Sequence, residues 1–226
     1  GTVESIVRGE KRKLLEVRIK AAETTDYIKF DIPELGKATA QEIKKVLLES
    51  GLWAAIKQRP YGIVANPADE PRAIFVSAFD SAPLAPDYNF TLKDESANLQ
   101  VAVNVLNKLT KGGVIVGLNG KDASASPFSK LQNVKLYGFT GAHPAGNVGV
   151  QINNIAPINK GEIVWTIDPM FMVAIGKLFT KGIYDVTRTI AVAGNRVEKP
   201  CYVTCVPGTQ IKDLDFLTSK KEVEIF

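Results

Sequence analysis

The chain has a single histidine, His143, and it lies in the stretch Gly141-Ala-His-Pro-Ala-Gly-Asn-Val-Gly149. A neutral imidazole can donate a hydrogen bond to a ligand oxygen or to a partner, and histidine side chains exchange protons near physiological pH. The plainer reading of the same residue is a structural histidine that holds the His-Pro turn. Gly141, Gly146 and Gly149, with Pro144, prescribe an unusual backbone path. Glycine permits positive φ and close approach of another group, whereas proline locks φ and removes a donor. The stretch follows a predicted strand, Val134–Thr140, and open α/β sheets place their ligands at strand ends. By spacing alone, a ligand cradle and an empty tight turn are both open.

Three further side chains have types suited to recognition. Arg59 and Tyr61 end the apolar-aromatic run Leu52–Gly62. An arginine beside an aromatic suits an anionic or planar ligand, or forms a surface stack. Asp80 closes the β-rich run Arg72–Phe79, where a carboxylate can bind a ligand hydroxyl or cap a turn. Trp53 and Trp165 read as core aromatics. Cys201 and Cys205 fall on one face of a strand-like run and read as reduced thiols. With one histidine and two cysteines, no metal site of the usual kinds is expected. No nucleophile elbow supports a catalytic triad, and no catalytic residue is expected. Dinucleotide and P-loop glycine fingerprints are absent.

Composition narrows the field. With 226 residues, 45% hydrophobic and 23% charged, the chain can bury one large core. Its net charge of +4 comes from dispersed lysines, and no basic stripe interleaved with aromatics announces nucleic acid. No apolar run reaches the roughly 18 residues of a membrane helix. The N-terminus alternates charged and apolar residues, unlike a signal peptide.

These candidates need a scaffold. Thr2–Arg8 and Leu14–Lys20 alternate around a polar turn and predict a β-hairpin. Two strands are marginal alone, so the hairpin reads as the tail of a preceding β domain. Thr39-Ala-Gln-Glu42 is a capping box opening a helix with Ile43, Val46 and Leu47 inward, closed by Gly51. Arg72–Phe79 is continuously apolar, as a central parallel strand should be. Asp94–Lys111 reads as a helix buried through Leu99, Ala102, Val103, Leu106 and Leu109. Val114–Leu118 and Glu162–Ile167 are short apolar strands. Periodicity leaves Val148–Ile152 undecided between strand and helix. Asp168-Pro169 starts a further helix that ends near Gly182, and Thr187–Ala193 is another strand. The alternation predicts an α/β fold with a mainly parallel sheet flanked by helices.

Several of these segments occur together, in order and spacing, in a known family. Ser50-Gly-Leu-Trp53 with Arg59-Pro-Tyr61, Ala73–Asp80 with Pro83-Leu-Ala85, Gly141–Gly146 with Val148-Gly149, and Ala174–Phe179 with Gly182 resemble the alpha subunit of the Na+-translocating NADH:quinone reductase. The match spans about residues 2–212. It implies a Rossmann-like α/β domain, similar to the flavin-binding subunit of respiratory complex I and to the RnfC protein, over residues 23–196. Residues 1–22 would be the end of a biotinyl/lipoyl-like domain, and residues 197–226 a strand and tail leading toward a β-grasp domain. In those relatives the loop after the equivalent of Leu52 is glycine-rich and wraps a flavin. Here Trp53–Tyr61 contains no glycine, so the FMN and NADH site is expected to be lost and no cofactor bound. The iron–sulfur cysteines are missing as well.

The resemblance further implies a peripheral, accessory role on the cytoplasmic face of the bacterial inner membrane, beside the membrane-embedded NqrB protein, associated with quinone and with assembly. Arg59, Tyr61, Asp80, Gly141, His143 and Gly146 are the candidate contacts for quinone or a partner. A flavin- or dinucleotide-binding electron-transfer protein, and a scaffold whose old pocket is filled by Trp53 and Tyr61, are the alternatives.

Overall fold

The computed structural model describes residues 1–195, 197 and 199–210. The expected tail beyond residue 210 lies outside the described residues. Strands β1 (Thr2–Arg8) and β2 (Leu14–Lys20) pair antiparallel as predicted, forming a hairpin exposed along most of its length. The segment that follows reaches the body through Phe30, whose N–H donates to the Gly182 carbonyl at 2.8 Å.

Helix α1 (Ala40–Glu49) begins at the predicted capping box. Thr39 Oγ1 accepts from the Glu42 N–H, and the Glu42 carboxylate accepts the Thr39 N–H at 2.8 Å. Gly51 then takes a left-handed φ of 79° and turns the chain into a short 3-10 turn carrying Leu52 and Trp53. Next come β3 (Lys57–Arg59) and β4 (Ile63–Val64), a small antiparallel pair. The sequence presents this run as core plus loop, because three residues are too few to display an alternation.

Strand β5 (Ile74–Ser77) is buried along its length, in keeping with its continuous apolar sequence. A four-residue helix α2 (Tyr88–Thr91) follows, capped by Asp87, and α3 (Ser96–Asn107), shorter than the expected Asp94–Lys111, buries Leu99, Ala102, Val103 and Leu106 of the predicted stripe, with Leu109 buried just beyond its end. Then come β6 (Val114–Asn119), β7 (Val134–Phe139) and α4 (Val148–Ile155). The undecided run at 148–152 is therefore helical, started by the Asn147 side chain, which accepts the Gly149 N–H. Strand β8 (Val164–Thr166) leads into α5 (Pro169–Lys181). Finally β9 (Arg188–Val192) and β10 (Cys201–Cys205) form an antiparallel ribbon separate from the main sheet.

The six-stranded sheet has the order β4-β3-β8-β5-β6-β7. Strands β8, β5, β6 and β7 are parallel, and β3 and β4 extend the sheet antiparallel at one edge. Alternation along the strands splits the core into two layers. Ile74, Val76, Val114, Val116 and Trp165 face a large cluster that includes α1, α3 and α5. Ala73, Phe75, Ile115 and Val164 face the smaller cluster under α4. Helices α3 and α5 approach closely at Gly176, where a Cβ would lie 2.1 Å from the Asn98 carbonyl oxygen.

The topology creates one crevice. From β5 the chain crosses to β6 and β7 on one side, then returns through α4 to place β8 on the other side of β5. The direction of winding reverses between β5 and β8. In open α/β sheets, ligands bind outside the carboxyl ends of the strands at such a switch point.

Candidate functional site

A cleft of about 790 Å³ opens at that switch point, lined by Ser77 at the end of β5 and by Thr166 and Ile167 at the end of β8. Of the six sequence-selected residues, Arg59, Asp80, His143 and Gly146 line it. Tyr61 lies outside it and is 80% exposed. Gly141 is also outside, at a φ of 146° where the strand-end loop turns. Trp53 is core: its Nε1 donates to the Ala65 carbonyl at 2.7 Å, and its ring meets Trp165 edge-on at 5.3 Å. Neither Trp53 nor Tyr61 fills the cleft.

The glycine-rich loop is held by its neighbour rather than held open. Ser81 Oγ accepts the Gly146 N–H at 2.9 Å and lies 3.1 Å from His143 Nδ1. A Cβ at Gly146 would come within 2.5 Å of the Ser81 amide nitrogen and 2.9 Å of the Phe79 carbonyl oxygen. Glycine is required there for the packing of two strand-end loops. Beneath them, buried Gln151 donates to Ser77 Oγ at 2.8 Å and to the Ala145 carbonyl at 3.2 Å. His143 is exposed at the rim.

Three residues join the site that sequence reasoning did not select. Tyr88, on α2, donates its hydroxyl to Asp168 Oδ2 at 3.0 Å. Burial pushes the Tyr88 phenol above its ordinary pKa, and the charge and hydrogen bond of Asp168 and the charge of Asp80 add to it. Asp168 had a sequence signal, its N-cap position before Pro169, and its Oδ1 does accept the Met170 N–H at 2.8 Å. Arg188, on β9, reaches the cleft with its guanidinium 4.2 Å from the Phe171 ring centroid. Nothing local in the sequence marks Tyr88 or Arg188, because both arrive through tertiary packing.

The electrostatics of the cleft are asymmetric. Both carboxylates serve local contacts: Asp80 accepts the Ala82 N–H at 2.8 Å, and Asp168 accepts from Met170 and Tyr88. Lys57 donates to the Ala54 carbonyl at 2.8 Å. Arg59 and Arg188 form no ion pair among the described residues, and the Arg59 Nε is buried without a hydrogen-bond partner. The cleft therefore offers guanidinium donors, a phenol and an imidazole beside the apolar faces of Phe79 and Phe171. Such a surface suits a planar ligand bearing acceptor oxygens. No group of histidine, cysteine and acidic residues suited to a metal ion occurs among the described residues.

Comparison with known proteins agrees with the fold. Residues 38–184 match the family described as NqrA second alpha/beta domain. The chain is 37% identical, over 216 residues, to the NqrA protein of the Na(+)-translocating NADH-quinone reductase of Saccharophagus degradans. It is 35% identical to the corresponding protein of Haemophilus influenzae and 37% identical to that of Neisseria gonorrhoeae. In each case the match covers 95% of this chain and 48% of the relative, so the chain spans about half the length of these curated relatives. Among solved structures, a NAD+-reducing NiFe hydrogenase in its air-oxidized state shares the fold, with a TM-score of 0.55 at 12% identity, over 77% of this chain and 38% of that one.

Proposed function

The chain belongs to the NqrA second alpha/beta domain family, and on that premise we propose that it works within the NqrA component of a Na+-translocating NADH:quinone oxidoreductase, with the switch-point cleft receiving a quinone head group. In this reading it is a peripheral segment at the cytoplasmic face of the membrane, beside the membrane-embedded NqrB protein, and no helix among the described residues is long and apolar enough to cross a bilayer. One observation carries the reading: Arg59, Asp80 and His143, drawn from three distant segments, converge with Phe171 in one open cleft. Quinone carbonyls accept hydrogen bonds, and Arg59 and His143 can donate them there, while the Tyr88 hydroxyl is already given to Asp168. Phe79 and Phe171 supply apolar surface for the ring.

A resident flavin fits poorly. A flavin phosphate needs free backbone amides, as at an uncapped helix N-terminus. One first-turn amide of each helix at the cleft is already taken, Gly149 of α4 by Asn147 and Met170 of α5 by Asp168. Gly146 packs against Ser81 and Phe79 rather than leaving room for a ligand. No step through a flavin is derived for this chain. A scaffold with its old pocket filled is disfavoured by the open cleft.

The test is photo-crosslinking of an azido-quinone to the intact complex, followed by peptide mapping. Labelling of peptides containing Arg59, Tyr88 or His143 is expected. Labelling confined to the other proteins of the complex would remove the quinone reading. A stoichiometric flavin spectrum on the purified chain would overturn the absence of a cofactor.

A further inference from the structure

We infer that the cleft contains an oxyanion subsite, built by Arg59 and Arg188, that takes a carboxylate or phosphate group of a ligand. The subsite is a property of the cleft itself and stands whether or not a quinone enters it. Its first sign is the Arg59 Nε, which is buried in the cleft wall without a hydrogen-bond partner among the described residues. Leaving a charged donor unsatisfied in a buried position is unfavourable, and native structures almost always supply an acceptor. The protein has carboxylates nearby and commits them elsewhere. Asp80 is turned back on the Ala82 amide, while Asp168 is shared between the Met170 amide and the Tyr88 hydroxyl. The acceptor that Arg59 lacks must come from outside the described residues.

Arg188 adds the second donor in a preorganised form. Its guanidinium carbon lies over the Phe171 ring, 4.2 Å from the centroid, and its N–H groups make no hydrogen bond or ion pair among the described residues. Planar guanidinium edges match the paired oxygens of carboxylates and phosphates. The position of Arg188 on β9 is itself fixed from both ends of the ribbon. Arg188 pairs with Cys205 in register, and Tyr202 on β10 stacks on Phe90 with centroids 4.7 Å apart. The Tyr202 hydroxyl also accepts the Asp87 N–H at 2.9 Å. The ribbon thus anchors on the α2 segment and carries a cation into a cleft whose other wall carries Arg59. With Lys57, three basic side chains line the cleft against the two carboxylates of Asp80 and Asp168. A neutral carbonyl ligand would satisfy one donor; a formal negative charge satisfies the imbalance.

Recognition here runs through side chains, and the Gly149 and Met170 amides of the helices at the cleft are already capped by Asn147 and Asp168. The subsite should therefore be sensitive to single arginine substitutions and to salt.

Isothermal titration of the chain with pyrophosphate and, separately, with isophthalate tests this. At least one probe should bind saturably, and binding should weaken roughly 10- to 100-fold in Arg59→Gln and in Arg188→Gln, the range expected for lost charge-assisted hydrogen bonds. Lys111→Gln, at an exposed lysine outside the cleft, should leave it unchanged, and raising the salt should weaken it. Tighter pyrophosphate assigns the subsite to phosphate ligands, and tighter isophthalate to carboxylates. Thermal melts of each variant establish that the fold is retained. No saturable binding of either probe up to about 10 mM, or equal loss in Lys111→Gln, would overturn the inference. Anion binding without quinone crosslinking leaves the subsite standing and removes the quinone reading; the opposite pattern removes the subsite alone.

Discussion

The hydroxyl of Tyr88 donates to Asp168 Oδ2 across 3.0 Å and so ties the short helix α2 to the start of α5 at the rim of the cleft. Burial comes first among the causes that hold this phenol protonated, followed by the Asp168 charge and hydrogen bond and the Asp80 charge. The sign follows directly. A phenol whose folded pKa is raised contributes stability that is complete below its unfolded value of about 10 and is lost as pH rises beyond it. Ultraviolet titration should find one tyrosine ionising later than the others, and Tyr88→Phe should delete that late phase. A Tyr88→Phe curve lacking only an ordinary phase would contradict the geometry.

Asp168 does two jobs, capping α5 and holding Tyr88. Asp168→Ala should cost about 0.5–2 kcal/mol from the cap, with a further loss from the stranded hydroxyl. Asp168→Asn keeps an acceptor for the Met170 amide and should be the milder change. Urea unfolding of the two variants measures the difference, and equal destabilisation would show that the cap contributes nothing.

Gly146 and Gly138 separate packing need from mere glycine content. Gly146→Ala forces a methyl against the Ser81 amide and should destabilise by about 1–3 kcal/mol. At Gly138 on β7 a Cβ would meet only the Gly120 Cα at 3.6 Å, so Gly138→Ala should stay within about 0.5 kcal/mol of the parent. Denaturant midpoints check both, and a tolerated Gly146→Ala would disprove the close approach of the two loops.

Lys177 lies between Glu95 at 3.1 Å and Asp185 at 3.4 Å. Burial alone would lower its pKa, but the two carboxylates outweigh that and raise it. Burial would likewise raise Asp185, yet hydrogen bonds from Thr187 and the charge of Lys177 hold it below the usual carboxylate range. The Asp185 contribution is therefore present above the unfolded value of about 3.9 and lost as pH falls through the lower folded value. Lys177→Met should destabilise by about 1–2 kcal/mol near neutrality, discounted for partial exposure. It should also flatten the acid limb of stability. Urea midpoints measured from roughly pH 5 down to pH 2 read the slope.

Elements with a strong local signature were legible. The capping box at Thr39 and Glu42, the cap and proline at Asp168 and Pro169, and the buried stripe of α3 all reappear in the fold. Strand β5 was legible as central because a parallel strand buried on both faces cannot carry polar alternation. The pair β3–β4 was not legible, since strands of two and three residues display no alternation, and β3 joins the main sheet only by pairing with β8, a strand distant in the chain. Helix α2 was hidden for a similar reason: four residues after a proline-rich loop carry no periodicity, and the tie from Tyr88 to Asp168 helps hold it.

Residue order alone determined the α/β alternation, the capped starts of α1 and α5 and the family, because caps, periodicities and ordered segments are local properties of the chain. It also selected Arg59, Asp80, His143 and Gly146, each at the end of an element. Only the tertiary structure decided that these four share a cleft while Tyr61 and Gly141 do not. The reason is the return of β8 to the far side of β5, which opens the crevice between residues remote in sequence. That same crossing brings in Asp168, and with it Tyr88 and Arg188, which no spacing in the chain connects to His143. The glycine-rich loop was recognisable as a motif, but its role was not. Packing against Ser81 makes it a wall of the cleft, and Arg59 and Arg188, without an ion pair among the described residues, supply the charge.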